Sequence, residues 1–139
     1  MARSNAVGKL SQIIESELHP KEGLLSALGD LSQERLLHSQ VLVAVHPGTK
    51  YHPGTKILRT DRDLQEIQYQ ASIGLVVKVG PGAFKDAPGA AFHGEKAIVG
   101  DWVLTRPADG LQLLINEVPC RIFEDVNIKM VVSDPERYW

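Results

Sequence analysis

The sequence has a single cysteine, Cys120, among its 139 residues. No intrachain disulfide and no thiolate metal cluster can be built from it, and a reducing compartment is the default expectation. It has no surplus of positive charge either: the formal net charge is −2. A nucleic-acid protein usually presents a basic face, and none is evident, so nucleic acid is not expected as a partner. No apolar run approaches the roughly 18 residues that a membrane span requires. Arg3 and Lys9 are not followed by an apolar h-region, so a secretory leader is not expected.

What is present is ordinary globular composition, with 43% apolar and 23% charged residues. That is enough for a small core and far from the composition of a disordered chain. The length argues for one domain with an appendage.

The pattern changes near residue 38. Before it, Val7, Leu10, Ile13, Ile14 and Leu18 fall at helical spacing. Ser4 or Asn5 can cap that helix, and His19-Pro20 ends it. Leu24, Leu25, Leu28 and Leu31 suggest a second short helical piece, broken by Gly29. Residues 1–36 therefore read as an N-terminal helical arm whose apolar stripe needs a surface to cover. Two surfaces are open to it: a partner protein, or the chain's own domain.

After residue 38 short β-rich runs take over: VLVAV (41–45), GLVVKVG (74–80), DWVLT (101–105), LQLLI (111–115), PCRIF (119–123) and NIKMVV (127–132). Turn residues separate them, among them Gly80-Pro81-Gly82 and Ala108-Asp109-Gly110. Strands at this spacing with no helix between them predict a mostly β fold, a small antiparallel barrel or sandwich over 37–139. The alternation places Val41, Val43, Val77, Val79, Val103, Leu113, Ile122 and Ile128 inward. The 46–73 connection is long for a hairpin, and long loops in compact domains are usually functional.

That connection opens with HPGTKYHPGTK (46–56), the same five letters twice around Tyr51. It fails as a phosphate loop: five residues separate Gly48 from Gly54, and Thr55 precedes Lys56 rather than following it. It fails as a metal site because His46 and His52 have no nearby carboxylate or cysteine to complete a shell. No nucleophile–base pair stands out elsewhere. Cys120 sits in an apolar strand as a small packed hydrophobe, and Asp101 and Asp109 sit in turns. No catalytic residue, cofactor or metal is expected, and the chain reads as a non-enzyme. Tyr51, Ile57 and Leu58 are the apolar contacts expected of a protein-binding loop, with Leu10, Ile13 and Ile14 on the arm and Tyr138 and Trp139 at the tail as further anchors.

The order VLV (41–43), long loop, IGLVVKVGPG (73–82), VGDWVL (99–104) and EDVNIKMVV (124–132) resembles the small co-chaperonin family, GroES or chaperonin-10. It is most similar to the GroES-like proteins of tailed phages, which share GLVVKVGPGAF (74–84), GDWVLTRPADG (100–110), a strand containing Cys120-Arg121 and an ending like SDPERYW (133–139). The resemblance implies a GroES-like β-barrel and an oligomer. It also implies that the 46–73 loop docks on protein through a short apolar element, for which Ile57-Leu58 is the match. Arg59 stands where that family has a third apolar residue.

Two functions follow from the resemblance. In the first, the barrel is a structural part of the virion, a decoration or cement-type protein that binds neighbouring capsid or neck proteins. In the second, it is a heptameric co-chaperonin in the host cytoplasm that caps the host chaperonin ring. The arm and Arg59 favour the first.

Overall fold

The structure is a computed structural model and describes Ile13, residues 20–48 and residues 71–138. Helix α1 (Pro20–Leu28) opens on a proline, whose fixed φ suits a first helical position and whose missing N–H costs nothing there. It ends at Gly29, where φ is +77°. The Gly29 N–H returns to the Leu25 carbonyl at 3.3 Å. Nine residues are too few to hold a helix in water without packing. Leu24 and Leu28 supply that packing, with exposures of 0% and 1%.

Among the described residues six strands follow: β1 (Gln40–Val45), β2 (Ile73–Val79), β3 (Trp102–Thr105), β4 (Leu111–Ile115), β5 (Val118–Glu124) and β6 (Ile128–Val132). All pair antiparallel in one sheet of order β4-β5-β1-β2-β3-β6. The mostly β, antiparallel fold expected from the sequence is what the structure shows. Between residues 74 and 132 the only helical pieces are three-residue 3₁₀ turns. Among the described residues no pairing joins β4 to β6, so these are the edges of the sheet.

Two apolar clusters flank the sheet. One draws on all six strands, from Leu113 of β4 through Cys120, Leu42, Leu75 and Trp102 to Val132 of β6. Ile13, Leu24 and Leu28 belong to this same cluster. The other gathers Val41, Val43, Val76, Val103 and Phe123 against Ala97, with Ala83 and Phe84 packed on it. The single interior expected from alternation is therefore divided. Val77, Leu113 and Ile122 face the first cluster, whereas Val41, Val43, Val79, Val103 and Ile128 face the second. The register of β1 on β2 shifts between Leu42 and Val43. β1 is buried along nearly its whole length, so Leu42 and Ala44 are as covered as Val41 and Val43. A strand covered on both faces reads as a continuous apolar run, and alternation cannot then say which side is the core.

Of the two surfaces open to the N-terminal segment, residues 20–28 use the chain's own domain. Leu24 and Leu28 pack in the sheet's core, and the Asn116 amide in the β4–β5 turn donates to the Leu28 carbonyl at 2.7 Å.

Candidate functional site

Buried polar side chains are costly and so mark places where the fold holds something in position. Two of them, His46 and Arg121, stand at the two ends of the long connection between β1 and β2.

On the departing side, His46 is fully buried. Its backbone N–H donates to the Ile73 carbonyl at 3.0 Å, so the chain leaves β1 beside the start of β2. Its ring lies 4.8 Å from that of Trp102, tilted by 54°. The Gly48 N–H donates to its Nδ1 at 2.9 Å, which makes Nδ1 an acceptor and places the ring proton of a neutral imidazole on Nε2. Gly48 has φ of +84°, a left-handed conformation that favours glycine. The first HPG of the repeat is thus a tight turn wound around its own histidine.

On the returning side, Arg121 of β5 is 3% exposed and donates from Nη1 to the Ala71 carbonyl. Burial pushes the pKa of its guanidinium down. The next residue is held from β3: the Ser72 carbonyl accepts from the Thr105 N–H at 2.8 Å and from Thr105 Oγ1 at 3.4 Å. Both roots of the connection are therefore fixed by side chains or backbone of β2, β3 and β5, and together they form a neck.

A second feature lies at the β6 edge. The Gly80-Pro81-Gly82 stretch is a turn, with the Gly80 N–H on the Gln40 carbonyl and the Gly82 N–H on the His38 carbonyl, each at 2.8 Å. A side chain at Gly80 would meet the His38 oxygen at 2.6 Å, so the close approach requires glycine. The buried Asp125 carboxylate accepts from the Phe84 N–H at 2.9 Å and from the Val126 N–H at 2.7 Å, fixing the end of this turn. Phe84 and Phe92 meet edge to face at 5.6 Å. Between them and β6 lies a cleft of 660 Å³, with Lys96 and Lys129 among its lining residues. Among the described residues, no histidine, cysteine, serine or threonine lines it.

Burial pushes the Cys120 thiol up to about 12, so it stays protonated and packs as an apolar residue. Among the described residues no group of three or more His, Cys, Asp or Glu could hold a metal ion. No helix among them is long and apolar enough to cross a membrane.

Of the residues expected to bind partners, Ile13 is buried in the six-strand cluster and Tyr138 packs half-buried against it. Leu10, Ile14, Tyr51, Ile57, Leu58 and Trp139 lie outside the described residues. Sequence reasoning missed the neck. Its one available signal was Arg121, a charge inside an apolar strand, which alternation alone presents as a solvent-facing position.

A scan against protein-family models finds no family that matches the chain, and a search of curated proteins finds no similar sequence.

Proposed function

We propose that this chain is a structural, non-enzymatic protein of a tailed-phage particle, a GroES-like barrel whose 46–73 connection binds neighbouring capsid or neck proteins. The observation that carries the reading is the neck. Burying a histidine and an arginine to fix both ends of one connection is expensive, and a connection with no task gives no return on it. A loop on a rigid base loses less freedom on docking than one whose ends also wander. The six-stranded antiparallel sheet supports the mostly β class of fold, and the closed barrel belongs to the proposal. Within the connection, Tyr51, Ile57 and Leu58 are the contact residues, with Lys50 and Lys56 at the rim.

Mass spectrometry of purified particles tests the location: a virion component is present in stoichiometric amount. A binding experiment tests the partner. The protein is mixed with capsids that lack it and, separately, with a chaperonin ring plus nucleotide. Binding to capsids that is lost on replacing Ile57 and Leu58 by serine is the expected result. Nucleotide-dependent binding to the ring, lost in the same variant, would establish the co-chaperonin function instead.

A further inference from the structure

Of the two sheet edges, β6 carries a guard: Lys129, exposed, the second residue of an otherwise apolar strand. A lysine on an edge strand is one of the devices by which proteins deter unwanted pairing. β4, with sequence LQLLI, has no charged residue and no proline. Its Leu111 is 68% exposed and its Leu114 43% exposed. An uncharged, exposed apolar edge is a ready template for pairing with another strand.

The hairpin geometry says how. Asn116 and Glu117 both have positive φ, +48° and +68°, which identifies a two-residue type I′ turn. Its closing pair, Ile115 and Val118, is hydrogen-bonded to each other, and the bonded pairs then alternate. Leu113–Cys120 and Leu111–Ile122 are bonded pairs, whereas Gln112–Arg121 and Leu114–Pro119 are not. Pro119 has no N–H to give, which agrees with this phase. The backbone N–H and C=O groups of Gln112 and Leu114 consequently point away from β5, toward the open edge.

We infer that β4 pairs with β4 of a second copy of this chain, antiparallel about a two-fold axis at Leu113. This register sets Gln112 opposite Leu114 of the second copy, so the outward groups of each copy meet those of the other. Leu113 then faces its own counterpart, and Leu111 faces Ile115 of the second copy, extending the apolar face of the sheet. No like charges meet along the strand, because it has none. Beyond it, Glu117 of the second copy reaches the level of Asp109 and Arg106. Arg106, whose side chain is 73% exposed and bonded to Asp109 at 2.7 Å, then lies between two carboxylates. A five-residue strand pair buries well under the roughly 1,200 Å² typical of stable complexes, so the dimer is weak and concentration-dependent. The inference stands on the strand itself and does not rest on the proposed function.

Sedimentation of the full chain over a concentration series tests it. The apparent mass rises from 15.3 kDa toward twice that value. Leu114→Pro abolishes the rise and leaves the circular dichroism unchanged, because the Leu114 N–H serves only the edge. Leu113→Cys, in a Cys120→Ala background, forms a disulfide-linked dimer on mild oxidation, because an isologous axis brings residue 113 against itself. A mass that stays at 15.3 kDa at every concentration overturns the inference. So does an oligomer that survives Leu114→Pro, or one that leaves Leu113→Cys uncrosslinked.

Discussion

The side-chain amide of Asn116 donates to the carbonyl oxygen of Leu28 at 2.7 Å, joining residues 88 positions apart. One residue thus serves the tight turn between β4 and β5 and also satisfies a terminal carbonyl of α1. Helix ends leave such carbonyls without intrahelical partners.

The two roles of Asn116 can be separated. Asn116→Gly keeps the left-handed backbone and loses only the bond to Leu28, at a cost of about 0.5–1.5 kcal/mol. Asn116→Ala also forces an unfavourable φ and costs about 1 kcal/mol more. Urea unfolding of the two variants measures the difference. Equal losses would mean that the turn conformation carries no strain.

Removing the Arg121 side chain leaves the Ala71 carbonyl without that donor in a buried place. Arg121→Ala is expected to cost about 1–3 kcal/mol. Amide exchange at Thr105, which donates to Ser72, should accelerate more than exchange at Leu75 in mid-strand. Arg121→Lys should not restore protection, because a lysine lacks the guanidinium fork. Unchanged exchange at Thr105 would show that Arg121 does not hold the neck.

Leu24 and Leu25 are adjacent and differ in burial, at 0% and 42% exposure. Leu24→Ala should therefore destabilise by about 2–5 kcal/mol. Leu25→Ala, on the solvent side, should change stability by about 0.5 kcal/mol or less. A truncation that begins at Leu37 should fail to give a cooperative thermal transition, because it strips Leu24 and Leu28 from the core. A well-folded truncated chain would reverse this assignment.

Cys120 links stability to alkaline pH. Its folded-state value, pushed up to about 12, lies above the ordinary thiol value of about 9, because burial disfavours the thiolate. Stability is thus undiminished below pH 9 and falls as pH rises from about 9 toward 12, where only the unfolded chain ionises. Cys120→Ala removes this part of the pH dependence. The same burial predicts slow alkylation of the native protein by iodoacetamide and rapid alkylation in denaturant.

All six strands were legible in the sequence to within about a residue or two, a margin smaller than usual for boundaries read from sequence. Paired turn residues bounded each run. The order of the strands was not legible, because nothing in the run VLVAV states that β1 sits between β5 and β2. Nor was the side that each valine faces, since β1 is covered on both faces. The leucine spacing of α1 declared an apolar stripe without naming the surface under it, and Asn116 looked like a turn residue only. In the candidate site, His46 was visible as part of a repeat, but its bond to Gly48 depends on a left-handed backbone that no composition rule reports. Arg121 was hidden by its ordinary alternating position.

The neck has a consequence for how the chain tolerates change. The connection leaves at His46 and returns at Ile73, two residues joined by a backbone hydrogen bond of 3.0 Å. It starts and finishes at nearly one point on the sheet, so the distance it must span does not depend on how many residues it contains. Closing such a loop costs only about 0.6 kcal/mol more for each doubling of its length. The sheet therefore works as a socket. The segment between Gly48 and Ala71 can be lengthened, shortened or exchanged for foreign sequence while the strands keep their register. A five-residue duplication such as the second HPGTK is the kind of insertion that this socket absorbs without refitting the rest of the protein.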